Sequence, residues 1–155
     1  MKSDKPSKVH CKFCKVVCPY RSRHCAKCQV CIERYDHHCF WIGNCVGYHN
    51  HRQFYLFLLL QTINNIAMLF SLSRLHFTLY NNGHATTTID IIMYSLRVAA
   101  FGFLLFTAYL LLYHSMLILA GMTTWEHMAR KKITYLNYLP IGYNPFSKGM
   151  VANIK

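Results

Sequence analysis

His24-Cys25-Ala26-Lys27-Cys28-Gln29-Val30-Cys31-Ile32-Glu33-Arg34-Tyr35-Asp36-His37-His38-Cys39 packs four cysteines and three histidines into one short polar stretch. Two-residue gaps between cysteines let a pair of thiolates reach one tetrahedral metal ion. Outward from this stretch the same spacing recurs as Cys11-x-x-Cys14, with Cys18 just after it and Cys45 downstream, so that all eight cysteines fall between Cys11 and Cys45. A segment this short and polar cannot bury a core and needs metal to fold. Two closed sites require eight groups. If His24 and His38 each supply one nitrogen, six cysteines complete two Cys3His sites and two remain without a metal role; spacing leaves open which two.

Beyond this head the chain changes character. The 155 residues are 54% hydrophobic and 15% aromatic, and residues 54–122 carry almost no charge and many Leu, Phe, Ile and Tyr. A run of ~20 apolar residues is one bilayer crossing as a helix. Spans are expected over about 54–73, interrupted by Gln61, Asn64 and Asn65, and over 98–121, where Gly121 is placed to end the helix. Amides inside lipid face another helix or a polar cavity. Asn81-Asn82-Gly83 and Thr86-Thr87-Thr88 mark residues 74–90 as an exposed loop.

The net charge of +12 suits an anionic membrane surface, a phosphate-bearing coenzyme or nucleic acid. Nearly all Lys and Arg precede Phe54 or follow Thr123, with only Arg74 and Arg97 beside the connecting loop. The positive-inside rule then puts both ends in the cytosol. The first ten residues are basic and polar, so no secretory signal is expected, and in a reducing compartment a cysteine cluster holds metal rather than disulfides. Finger-type nucleic-acid binding is not expected, because finger helices sit between Cys and His pairs spaced about a dozen residues apart.

Asp36-His37-His38-Cys39, with His24-Cys25-x-x-Cys28-x-x-Cys31 before it and Trp41, Asn44-Cys45-Val46-Gly47, Asn50 and Phe54 after it, resembles the DHHC-type protein S-acyltransferases over most of the chain. The resemblance implies a mainly α membrane protein: two transmembrane helices and a loop-rich cysteine-rich domain holding two structural zinc ions. One zinc would be held by Cys11, Cys14, His24 and Cys31, the other by Cys25, Cys28, His38 and Cys45. Cys39 and Cys18 are then the thiols left over. The domains implied are a cytosolic zinc domain over 1–52, the spans over 53–122 and a cytosolic tail over 123–155.

The activity implied is transfer of a long-chain acyl group from acyl-coenzyme A, through an acyl-Cys39 intermediate, to cysteines of protein substrates at a membrane, Golgi or endoplasmic reticulum. A thiol attacks only as thiolate, which makes His37 the candidate base and Asp36 the group that orients it. Arg21 and Arg23 fall where the family contacts coenzyme phosphates, and guanidinium forks suit that task. Thr123-Thr124-x-Glu126 is similar to the family's TTxE motif and implies a hydrogen bond from Thr124 to Asp36. Asn144-Pro145-Phe146 through Gly149 and Asn153 resembles the start of its C-terminal segment.

Three departures stand out. Cys18 replaces a basic residue, Phe40 replaces the proline that follows the signature cysteine, and the two upstream spans typical of the family are not in this sequence. The last leaves a catalytically silent zinc-binding membrane adaptor as the alternative.

Overall fold

The computed structural model describes residues 8–84, 86–140 and 142–153. They form two compact units, one made of the residues up to Phe54 together with those from His114 onward, the other of Tyr55–Tyr113.

In the first unit the cysteine-rich stretch is built of three antiparallel hairpins rather than loops. β1 (Lys8–Cys11) pairs with β2 (Val16–Pro19), β3 (Arg23–Cys25) with β4 (Val30–Ile32), and β5 (His37–Cys39) with β6 (Asn44–Val46). The expectation of a loop-rich domain is corrected to that extent. Strands of three or four residues are too short to display an alternating pattern, so the sequence carries no strand signal there. The turns of the first two hairpins are made by Cys-x-x-Cys pairs, and that of the third by Phe40–Gly43. Lys15 N–H donates to the Cys11 carbonyl at 2.9 Å and Gln29 N–H to the Cys25 carbonyl at 2.8 Å. Lys15 (φ 55°) and Gln29 (φ 57°) both take the left-handed backbone that non-glycine residues seldom adopt.

Behind the third hairpin the chain is clamped tightly. Asn50 Oδ1 accepts from Gly47 N–H at 2.8 Å and its Nδ2 donates to the Cys45 carbonyl at 2.8 Å. Val46 is fully buried. Only glycine fits at position 47, because a Cβ there would lie 2.5 Å from Ile32 Cγ2 and 2.8 Å from the Glu33 carbonyl.

Two long helices follow: α1 (His51–Asn81, 31 residues) and α2 (Thr87–Ala120, 34 residues). At 1.5 Å per residue they are ~46 and ~51 Å long, against a hydrocarbon core of ~30 Å. Both outrun the spans expected at 54–73 and 98–121, and residues 74–81 and 87–90 are helix rather than loop. Hydropathy finds the part of a helix suited to lipid, whereas the ends are set by caps. Gly83 N–H bonds the Tyr80 carbonyl at 3.1 Å and His84 N–H the Leu79 carbonyl at 3.0 Å, closing α1, while Thr86 Oγ1 accepts from Ile89 N–H at 3.3 Å to open α2.

Each helix is long and apolar enough to cross a membrane, and only 11% and 17% of their most apolar windows are buried. A core helix of a soluble protein would bury most of its length, whereas Phe70, Phe77, Phe101 and Leu112 here point outward. Within the second unit Asn65 is buried and donates to Thr107 Oγ1 at 3.1 Å, and it accepts from Gln61 at 3.2 Å. Asn64, by contrast, is exposed. His76 sits between Asp90 (2.8 Å) and Arg97 (2.7 Å), so charge near the turn is internally compensated.

The C-terminal end of α2 positions the rest of the first unit. The last four carbonyls of a helix lack intrahelical partners, and here all four find one. Met122 N–H takes the Leu117 carbonyl and Gly121 N–H the Ile118 carbonyl, both at 3.0 Å. Asn153 Nδ2 takes the Leu119 carbonyl at 2.8 Å and Asn144 Nδ2 the Ala120 carbonyl at 2.6 Å. This is the structural use of the segment from Asn144 to Asn153. α3 (Thr124–Met128) then starts with a reciprocal capping box between Thr123 and Glu126. A 3-10 turn (Arg130–Lys132) and α4 (Met150–Asn153) complete the described elements.

Gly121 is the hinge of this arrangement, with φ +67° and a Cβ position 3.1 Å from the Asn153 side chain. Gly121→Ala is expected to cost about 1–2 kcal/mol, read as a lowered thermal unfolding midpoint in detergent micelles. An unchanged midpoint would show that this cap does not hold the end of α2.

Candidate active site

Strand alternation divides the labour of adjacent residues. Successive side chains on a strand point to opposite faces, so on β5 His38 turns one way while His37 and Cys39 turn the other. Its cross-strand partner is Cys45. The same alternation acts on β3: His24, paired with Cys31, faces one cluster, and Cys25 next to it faces the second.

The result is two groups of four whose donor atoms lie within 4.8 Å of one another: Cys11, Cys14, His24 and Cys31, and Cys25, Cys28, His38 and Cys45. A tetrahedral zinc with bonds of ~2.3 Å to sulfur and ~2.0 Å to nitrogen would set sulfur-to-nitrogen edges near 3.6 Å. His38 Nδ1 lies 3.7, 3.3 and 3.6 Å from the sulfurs of Cys25, Cys28 and Cys45. His24 Nδ1 lies 3.2 Å from Cys14 Sγ. Burial and the neighbouring sulfurs push the Cys31 and Cys45 thiols up; thiols this crowded ionise together only around a shared cation. Both groups are therefore able to hold a metal ion.

Cys39 belongs to neither group. It is buried on the same strand face as His37, and its thiol favours the charged form of that ring. His37 Nδ1 meets Asp36 Oδ2 at 2.6 Å. Asp36 is fully buried, and its carboxylate also accepts from Thr124 N–H at 2.8 Å and from Thr124 Oγ1 at 2.7 Å. Burial alone would raise the Asp36 pKa, but the hydrogen bonds from His37 and Thr124 outweigh it and hold the carboxyl below the usual carboxylate range. For His37 burial works against the charged ring, and the bond to Asp36 and the neighbouring Cys39 thiol more than offset it, so its pKa is raised. The chain thus presents a buried carboxylate, an imidazole poised to carry a proton, and a buried thiol on the same strand face.

Arg21 and Arg23 are engaged within the protein. Arg21 Nε donates to Glu126 Oε1 at 2.6 Å and its Nη2 pairs with Oε2 and donates to the Gly121 carbonyl at 3.2 Å, while the guanidinium lies 4.3 Å from the centre of Phe146. Glu126 is buried and also accepts from Tyr135 at 3.3 Å. Arg23 stacks over Trp125, and its Nη1 is buried with no hydrogen-bond partner among the described residues. Cys18 is buried next to Cys31 but outside the group of four.

Two residues at this site escaped the reading of the sequence: His51, 3.9 Å from Asp36 Oδ1, and His114, whose ring packs with that of Phe54 against His37. Phe54 was legible only as a motif position. A signal for His114 existed, since an ionisable residue inside an apolar span marks a functional site by default.

The sequence profile of the family described as DHHC palmitoyltransferase matches residues 4–131. Among curated proteins none matches the chain. The matched range holds both metal-type clusters, Asp36, His37, Cys39 and Thr124, and the whole of both long helices, so the chain belongs to the DHHC palmitoyltransferase family.

Proposed function

We propose that this protein is a protein S-acyltransferase that carries a long-chain acyl group, palmitoyl in the first instance, on Cys39. The observation supporting this is a buried thiol left outside two four-ligand clusters, on the same strand face as an imidazole that a buried carboxylate orients.

The chemistry follows from that arrangement. His37 takes the Cys39 proton, and the thiolate attacks the thioester carbonyl carbon of acyl-coenzyme A. A carbon–sulfur bond to Cys39 forms as the bond to the coenzyme sulfur breaks, and the departing thiolate takes the proton from His37. In the second half-reaction His37 takes the proton of a substrate cysteine, whose thiolate attacks the acyl-Cys39 carbonyl carbon; a new carbon–sulfur bond forms as the bond to Cys39 breaks, and the departing Cys39 thiolate takes the proton from His37. One thioester replaces another at each step, so the demand on the site is positioning and thiolate supply. Asp36 supplies orientation and favours the imidazolium that forms, and Thr124 holds Asp36.

In this reading the two clusters hold zinc, as structure rather than as chemistry. Arg23 and Arg21 contact the coenzyme phosphates; Arg21 has its Nε and Nη2 committed to Glu126 and Gly121, which leaves Nη1 for a phosphate oxygen. The distribution of Lys and Arg supports residues 1–52 and 123–155 on the cytosolic side of an endomembrane, Golgi or endoplasmic reticulum, with residues 53–122 crossing it.

Labelled palmitoyl-coenzyme A added to the purified chain in lipid is expected to leave a hydroxylamine-sensitive label that Cys39→Ser abolishes. No label, or a label that survives the substitution, would overturn the reading. Asp36→Asn is expected to slow labelling by roughly 10²-fold or more in single-turnover assays. Metal analysis is expected to find two zinc ions per chain and one in Cys31→Ser or Cys45→Ser.

A further inference from the structure

We infer that His114, together with Phe54, positions the His37 ring for proton transfer with Cys39; this rests on the acyl-transfer reading above. Three rings close on one another in pairs. His37 and Phe54 have centroids 5.2 Å apart and edge-on, Phe54 and His114 are 5.1 Å apart and edge-on, and His37 and His114 are 5.7 Å apart and tilted by 41°.

His114 is 4% exposed, and one of its ring nitrogens lies within 4.8 Å of an Asp36 carboxylate oxygen and a His37 ring nitrogen. His51 extends the same wall, 6.1 Å from His114. The bond to Asp36 fixes where one nitrogen of His37 sits, but a single hydrogen bond leaves the ring free to swing about its axis. Two flat neighbours, packed on each other and together against the His37 ring, limit that swing and keep water from the carboxylate. The ring's other nitrogen is thereby held toward Cys39. Their chain positions fit the role: Phe54 closes the first turn of α1 and His114 lies two turns before the end of α2, where the cap brings Thr124 to Asp36. His114 touches neither substrate nor the reacting sulfur in this account. It acts through His37.

His114→Leu fills the space without a flat ring, and His114→Phe restores the flat ring. In single-turnover labelling with palmitoyl-coenzyme A, the leucine variant is expected to form acyl-Cys39 roughly tenfold more slowly, with an unchanged half-saturating coenzyme concentration and an unchanged metal content. The phenylalanine variant is expected to recover most of the rate. A leucine variant as fast as the unaltered chain, a phenylalanine variant as slow as leucine, or a defect confined to the half-saturating concentration or accompanied by metal loss would overturn the inference alone. An unaltered chain that takes no label would overturn the acyl-transfer reading, and this inference with it.

Discussion

The carboxylate of Asp36 is the point on which the site depends. It is wholly buried, and a buried charge survives only when hydrogen-bonded on every side. Its partners come from two distant stretches of the chain: His37 beside it on β5, and the backbone and hydroxyl of Thr124 at the start of α3. The carbonyl of Asp36 is engaged as well, by Trp125 N–H at 3.2 Å. The β5–β6 hairpin and the segment following α2 are thus joined at this residue.

Everything that fixes Thr124 therefore serves Asp36. The capping box of α3, the Arg21–Glu126 pair, and the asparagines on the last carbonyls of α2 form one connected set of polar contacts. Arg21 illustrates the economy of the arrangement. Its fork binds the carboxylate of Glu126 and the carbonyl at the end of α2 together, so a residue on the cysteine-rich side stitches the C-terminal side in place. Removing Glu126 would leave a largely buried guanidinium uncompensated, which is a heavier penalty than the pair's own net contribution.

Much of this was legible in the residues. The paired cysteines, the histidine interspersion and the two apolar runs each announce themselves by spacing or length, because metal coordination and bilayer thickness impose fixed distances. What was not legible were features set by contacts distant in sequence. Strands of three residues have no periodicity to read. The end of α1 lies eight residues later, and the start of α2 eleven residues earlier, than the apolar runs mark, because Gly83 and Thr86 act through cap geometry that hydropathy does not register. The placement of His114 beside His37 needs the fold, since the two lie on an apolar helix and a polar hairpin that no local pattern connects. Arg21 and Glu126 pair across more than a hundred residues for the same reason.

The division between His37 and His38 is the simplest consequence of the architecture. A single strand, alternating, sends one imidazole to the metal-type cluster and the next to the thiol. The account requires Cys39 to be free for acylation while six neighbouring cysteines remain occupied. Native mass spectrometry of the chain after exposure to palmitoyl-coenzyme A tests this most directly. A species carrying two zinc ions and one acyl group on Cys39 at the same time is the predicted result. An acyl group on any other cysteine, or acylation found only in chains that have lost zinc, would contradict it.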